Sequence, residues 1–334
     1  MTVWTLPPVI GFALAFALVA LILARGWHWA IDRPNERSLH VRPTPRTGGV
    51  ALMAGLCAAA GTAAALGPGV PLVAVALALA LSALSLIDDR RGLPIVVRLG
   101  AHLLAAIVFT ATLPGFAPSM PWFWLPLAVL AITAMTNFFN FMDGANGIAG
   151  GMAVAGFGSY GIAAAIEGAP GLAALCFSVA AAAAGFLCFN LRGRIFMGDS
   201  GSVPLGFLAA ALGVAGWAQG LWPGWFGPLA FAPFVADASL TLGRRIGRGD
   251  RFWQSHHEHY YQRLVRSGWS HGRLALAEYA VMATCAGAAL FSRRADGTTQ
   301  AVVFATIAGL LGTIGFLVDR RWRNFQAGSL PGRT

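Results

Sequence analysis

The chain has 334 residues, of which 57% are hydrophobic and 11% charged, with a mean hydropathy of +0.67. A soluble domain carries about twice that charged fraction, and apolar runs of about 20 residues recur throughout, so the class is a polytopic membrane protein. A formal charge of +10 would point to nucleic acid in a soluble chain, but here the positives sit in short loops between apolar runs, where topology accounts for them and no nucleic-acid partner is expected.

Taken in chain order, the runs predict eleven spans, near 5–24, 48–67, 70–87, 96–115, 121–140, 147–166, 170–189, 203–221, 225–243, 273–291 and 299–318. The first lacks a basic leader and a small-residue cleavage site, and reads as a retained helix. The fourth is the weakest, because Arg98 and His102 lie near its start. All 23 basic residues are arginine, and 21 of them fall on one side of this topology; the other side holds only Arg293 and Arg294. The arginine-rich side is therefore cytoplasmic, the N-terminus periplasmic and the C-terminus cytoplasmic. Cys57, Cys176, Cys188 and Cys285 all lie inside apolar runs without CxxC spacing and read as packing residues. The expected fold is all-α: one helical membrane bundle over 1–334, with polar loops at 25–47, 88–95, 141–147, 190–202 and 244–272 on the cytoplasmic face.

Four of these loops carry unusual polar clusters. In "SLIDDRRGLP", Asp88 and Asp89 end a spanning helix, where the macrodipole is already negative, so they call for a cation. Arg90 and Arg91 can supply it as ordinary boundary charges, and a bound metal can supply it equally. In "TNFFNFMDGANG", Asn137, Asn140 and Asp143 recur every three residues and share a face. Amides and a carboxylate there suit a cavity or helix–helix hydrogen bonding. In "NLRGRIFMGDSGS", Asp199 sits among glycines and serines just before a helix, a setting for phosphate and Mg²⁺ as well as for simple capping. The last loop, "GRRIGRGDRFWQSHHEHYYQRLVRSGWSHGR", holds His256, His257 and His259 with seven arginines. It is not H-E-x-x-H, since Tyr261 stands at the second ligand position, so phosphate binding is the better reading than zinc. Asp237, within the ninth span, reads as structural or supporting.

Together with "SLHVRPTPRTGGVAL", these motifs, in this order, resemble the polyprenyl-phosphate N-acetylhexosamine-1-phosphate transferases, glycosyltransferase family 4. The resemblance covers most of the chain, and the last loop is most similar to the branch that initiates O-antigen synthesis. It implies transfer of a sugar 1-phosphate from a UDP-N-acetylhexosamine to undecaprenyl phosphate, with release of UMP, in the bacterial inner membrane. By the same resemblance Asp199 is the principal Mg²⁺ ligand, with Asp88 as a second and Mn²⁺ as the alternative ion. Asp88, Asp89, Asp199 and His259 are the expected catalytic residues. Asn137, Asn140, Asp143, Asn146, Asn190, Phe196, His256 and Arg46 are expected to bind substrate, Phe196 beside uracil and His256 at the phosphates.

A homodimer is expected by analogy alone. Two departures bear on the donor: Asn146 replaces a common Asp, and Tyr261 and Gln262 stand where further histidines often sit. UDP-GlcNAc, UDP-GalNAc and the FucNAc and QuiNAc donors all remain open. Attack by the lipid phosphate can be direct or pass through an aspartyl phosphate. The competing class is a transporter or flippase for an anionic or lipid-linked solute, which eleven spans also suit. The absence of a two-fold repeat and the crowding of charge on one face weigh against it.

Overall fold

The computed structural model describes residues 2–26, 30–34, 39, 42–67, 69–113, 123–251 and 257–329. It is a helical bundle, with a single two-residue antiparallel ladder among the described residues. This ladder joins β1 (Ile31–Asp32) to β2 (Thr44–Pro45), Ile31 opposite Pro45 and Asp32 opposite Thr44.

Nine described helices are long and apolar enough to cross a membrane. They begin with α1 (Thr2–Arg25), α2 (Gly48–Leu66) and α3 (Leu72–Arg91). After α4 (Ile95–Ala111) come α5 (Trp124–Phe141), α6 (Ile148–Ile166), α7 (Pro170–Asn190) and α8 (Asp199–Ala218). α4 has 17 residues, about 25 Å at 1.5 Å per residue, and is apolar but shorter than the rest. α6, α7 and α8 are the most enclosed spans; their alanines and glycines let neighbouring backbones approach where lipid gives no hydrophobic drive for association.

The ninth expected span, 225–243, is broken in two. α9 (Phe226–Ala230) ends at Phe231 and α10 (Ala232–Gly247) resumes with Pro233 in its first turn. Proline lacks the N–H that would bond the carbonyl four residues back, which weakens the ladder at the point where the helix breaks. α11 (Tyr260–Arg266) is a short helix within the last polar loop. α12 (His271–Ser292) and α13 (Gly297–Ser329) complete the chain. The 33 residues of α13 measure about 50 Å, so the helix continues well past the expected end at 318.

That extension has a purpose visible in its contacts. Asp319 accepts two bonds from Arg244, at 2.9 and 2.6 Å, and one from Arg263 at 2.7 Å. Arg321 Nε donates to Ser267 Oγ at 2.8 Å. α13 thus pins both ends of the polar loop that runs from α10 to α12. On the opposite face, Glu167 pairs with Arg293 and Arg294, tying the α6–α7 turn to the α12–α13 turn.

Candidate active site

The site begins with a short backbone zipper. Phe196 N–H donates to Pro45 O at 2.7 Å, Gly48 N–H to Phe196 O at 3.0 Å and Gly49 N–H to Met197 O at 2.8 Å. The pairing lays "TPRTGG" against "RIFMG" and brings the N-termini of α2 and α8 together. A Cβ on Gly49 would lie 2.3 Å from Gly201 N, so only glycine permits that approach. From the first strand of the zipper, Arg46 reaches across to two carboxylates, Asp89 at 2.8 Å and Asp199 at 3.4 Å.

Asp199 is the first residue of α8, after Gly198 at φ +68°. Pro204, one turn on, has no N–H to give the Ser200 carbonyl; Ser82 Oγ on α3 donates to that oxygen instead, at 2.6 Å. The bond locks α3 against α8 just above the aspartates. At the end of α3, Gly92 closes the helix at φ +66° with its N–H on Asp88 O. Asp88 itself accepts from Leu93 N at 2.6 Å through one oxygen and from Arg98 at 2.8 Å through the other. Arg98 from α4 and Arg46 from the zipper thus each bring a cation to one of the two aspartates.

Two cavities meet at Asp199. The first, ≈ 230 Å³, is lined by Arg46, Asn140, Asp143, Asn146, Asn190, Phe196 and Asp199, with Asp32, Gln262 and His271 completing its wall. The second, ≈ 40 Å³, is lined by Asp88, Arg98, His102, Asn137, Asn140 and Asp199, closed by Leu84, Phe141 and Val203. Asn140 and Asp199 belong to both. The every-third-residue row expected from the sequence therefore runs across the junction: Asn137 on one side, Asn140 between, Asp143 on the other. Burial pushes the Asp143 carboxyl well above the usual carboxylate range; the Asp199 charge adds to this and Arg46 opposes it.

Several polar residues in this region hold the frame. Asn190 is 5% exposed; its Oδ1 accepts from Gly147 N at 2.7 Å and its Nδ2 donates to Ile195 O at 2.8 Å. Gly147 stands at φ +87°, a conformation that favours glycine, and Tyr279 OH donates to its carbonyl. His271, which no spacing in the sequence singles out, takes the Asn146 N–H on Nδ1 at 3.3 Å and lies 3.0 Å from Leu39 O through Nε2. Since an N–H must donate to the first nitrogen, the ring is assigned as neutral with its proton on Nε2. It ties the 143–147 turn to the segment before the zipper.

His259 lies behind this wall, 3% exposed and outside the lining of either cavity. Its Nδ1 donates to Asp237 Oδ1 at 2.9 Å, and the same carboxylate accepts from Tyr260 N and Tyr261 N. Asp237, from the middle of α10, thereby does for α11 what a capping side chain does for the first turn of a helix. Tyr261 OH donates to Phe141 O at 3.0 Å, latching the loop to the end of α5, while Gln262 reaches the first cavity. The loop arginines are engaged away from both cavities: Arg244 and Arg263 on Asp319, Arg245 and Arg248 on Glu258. His256 lies outside the described residues.

The structure thus gathers Arg46, Asp88, Asp89, Asn137, Asn140, Asp143, Asn146, Asn190, Phe196 and Asp199 at one place, and holds His259 as a support beneath it. Among the described residues no three His, Cys, Asp or Glu side chains cluster as a ready-made metal cage. Asp89 and Asp199 do share one cation, the Arg46 guanidinium, and Asp199 is 24% exposed. Hard oxygen donors in so small a number fit an ion that takes its other ligands from substrate phosphate and water, as Mg²⁺ does. A larger groove of ≈ 310 Å³, on the face of α5 away from Asn137 and Asn140, is lined almost wholly by apolar side chains and offers no such chemistry.

The family model for "Glycosyl transferase family 4" matches residues 71–216, the stretch from α3 to α8 that contains Asp88, Asp143 and Asp199. The chain is 30% identical to a "Decaprenyl-phosphate N-acetylglucosaminephosphotransferase" of Mycobacterium leprae, over 75% of this chain and 73% of that one. It is 28% identical to a "Probable undecaprenyl-phosphate N-acetylglucosaminyl 1-phosphate transferase" of Bacillus subtilis, over 75% of this chain and 74% of the relative. An "Undecaprenyl-phosphate alpha-N-acetylglucosaminyl 1-phosphate transferase" of Yersinia pestis is 25% identical over 93% of this chain and 90% of its own length. With its carboxylate-lined cavities at the ends of membrane helices, the chain belongs to glycosyl transferase family 4, the polyprenyl-phosphate N-acetylhexosamine-1-phosphate transferases.

Proposed function

We propose that this protein transfers an N-acetylhexosamine 1-phosphate from a UDP-sugar to undecaprenyl phosphate at the cytoplasmic face of the bacterial inner membrane. The product, a lipid-diphosphate sugar, would start a cell-surface glycan such as O-antigen. The observation that carries this reading is the pair of cavities joined at Asp199 and Asn140. A reaction between two phosphate-bearing substrates needs two binding places that meet at one charged junction.

The larger cavity suits the nucleotide donor. Phe196 offers a ring for uracil, and Arg46 a guanidinium for the diphosphate. The smaller cavity suits the phosphate of the acceptor beside Arg98. An oxygen of that phosphate attacks the β-phosphorus of the donor, the bond between β-phosphorus and bridging oxygen breaks, and UMP leaves with that oxygen. Phosphoryl transfer depends on alignment and charge neutralisation more than on covalent help. Mg²⁺ held by Asp199 would supply further neutralisation on the diphosphate, with Asp89 rather than the expected Asp88 as the second carboxylate, because Leu93 N–H and Arg98 already take both Asp88 oxygens. A phosphate monoester has a second pKa of about 6 and is mostly dianionic at neutral pH, so no strong base is required. Asp88, with a donor already on each oxygen, is suited to holding Arg98 in place rather than to attacking phosphorus, which favours direct transfer.

The test is UMP release by purified protein in detergent, with undecaprenyl phosphate and a panel of UDP-N-acetyl sugars. Release that needs the lipid, stops with EDTA and is lost in Asp199→Asn is the expected result. No UMP with any donor, from folded protein, would overturn the reading and favour transport.

A further inference from the structure

His102 is a histidine without an assigned task. It lies on α4, 7% exposed, in the wall of the smaller cavity, and its Nδ1 is buried with no hydrogen-bond partner. An imidazole nitrogen left bare in a membrane protein costs free energy that a leucine at the same position would avoid. Asn137 lines the same small cavity as the ring. The Asn137 amide gives one N–H to Thr133 O at 2.7 Å and has both a donor and an acceptor left, so it can serve the other ring nitrogen in either tautomer. His102 also stands four residues beyond Arg98, on the same helix face, and Arg98 is held at the cavity by Asp88 at 2.8 Å.

We propose that His102 is a binding residue for the phosphate of the lipid acceptor, completing with Arg98 and Asn137 a pocket that recognises a phosphate monoester carried on a long apolar chain. The inference rests on the transfer reading above only for which substrate brings that phosphate. With its proton on Nδ1, the ring donates to a phosphate oxygen while Asn137 supports the opposite nitrogen. The ≈ 40 Å³ of the cavity takes about three water-sized oxygens by the usual allowance for a buried water. The wall beyond is apolar, from Leu84 and Phe141, and the outer face of α4 presents Val96, Leu99 and Leu103 where an isoprenoid chain would run into the bilayer. A water-soluble phosphate gains nothing from such surroundings, which is why the acceptor and not the nucleotide is assigned here.

The experiment uses full-length protein in detergent and two readouts. In the first, thermal protection by undecaprenyl phosphate is compared with protection by undecaprenol, with no donor present. Wild-type protein is expected to be protected by the phosphate and not by the alcohol, and His102→Leu to lose that difference. Equal protection of wild type by both lipids would overturn the proposal without reference to any variant. In the second, the KM for each substrate is measured separately. His102→Leu should raise the KM for undecaprenyl phosphate by roughly tenfold to a hundredfold, the range for one lost bond to a charged group, and leave the UDP-sugar KM within about twofold. His102→Gln, which can still donate, should recover most of the loss. A change in donor KM instead, or a fall in kcat with the lipid KM unchanged, would also overturn it. Wild-type protein that binds the lipid phosphate selectively yet releases no UMP would sink the transferase reading and leave the pocket standing.

Discussion

Ser82 provides the sharpest test of how the site is held. Its hydroxyl donates to the Ser200 carbonyl at 2.6 Å, with Ser82 8% exposed and Ser200 0%. That carbonyl needs an outside donor only because Pro204, four residues on, has no N–H. Ser82→Ala therefore strands a buried acceptor, at a cost of about 1–3 kcal/mol. In a Pro204→Ala background the helix supplies its own N–H, and the same Ser82→Ala change should cost well under 1 kcal/mol. The difference, a coupling of about 1–2 kcal/mol, is read from a double-mutant cycle on equilibrium unfolding in mixed micelles. Asp199 directly precedes Ser200, so the kcat/KM for UMP release should fall with Ser82→Ala, up to roughly tenfold if the first turn of α8 absorbs the penalty, and recover in the double variant. Equal loss of stability in both backgrounds would refute the argument, because the hydroxyl would then matter for something other than the carbonyl that proline leaves open.

Asn190→Ala removes the partner of two buried backbone groups, Gly147 N and Ile195 O, and should destabilise by about 2–6 kcal/mol; Asn190→Asp, which keeps an acceptor for Gly147, should cost less in the same unfolding assay. An Asn190→Asp variant as damaged as Asn190→Ala would remove the support for Oδ1 as the main brace. Asp143→Asn should raise thermal stability at neutral pH, because the folded protein holds the Asp143 proton more tightly than the unfolded chain does. The wild-type penalty begins near the ordinary carboxylate pKa of about 4 and grows as pH rises toward the elevated folded value, so the gain from Asn should vanish below about pH 4. A gain that is flat with pH would contradict the raised pKa.

Much of the bundle is legible because hydrophobic runs of bilayer length leave few alternatives. The expected spans at 48–67, 147–166 and 170–189 differ from α2, α6 and α7 by a residue or so at an end. The break at Phe231 was hidden by composition: 225–243 is apolar enough to read as one span, yet Pro233 carries the decisive signal. The carboxylates of the site were equally legible, since an aspartate in so oily a chain is costly unless it has a role. Their partners were not. Arg98 reaches Asp88 only because the Gly92–Pro94 turn folds α4 back, and Arg46 reaches Asp89 and Asp199 only through a backbone zipper between segments 150 residues apart. The setting of His259 was illegible for a related reason: the sequence shows a basic loop but not that its histidine is bonded to Asp237 of α10. His271 had no signal at all, being a lone histidine between a serine and a glycine.

These details explain why the motifs occur as an ordered set. Each motif contributes a few polar groups that face the cavities, up to four from the 137–146 stretch, and other residues of the same motifs hold another motif in place. Gly48 and Gly49 bind the backbone of Phe196 and Met197; Asn190 binds Gly147; Tyr261 binds Phe141; Ser82 compensates for Pro204. A glycine or amide in one motif is therefore useless without its counterpart in another, so a single motif says little and the series says much. The same logic separates the arginines. Arg244, Arg245, Arg248 and Arg263 of the last loop pair with Asp319 or Glu258, whereas Arg46 and Arg98 line the two cavities from the zipper strand before α2 and from α4. The carboxylate partners of Arg46 and Arg98 line or adjoin the same cavities, so a phosphate arriving there would compete with Asp88, Asp89 and Asp199 for the two guanidinium groups.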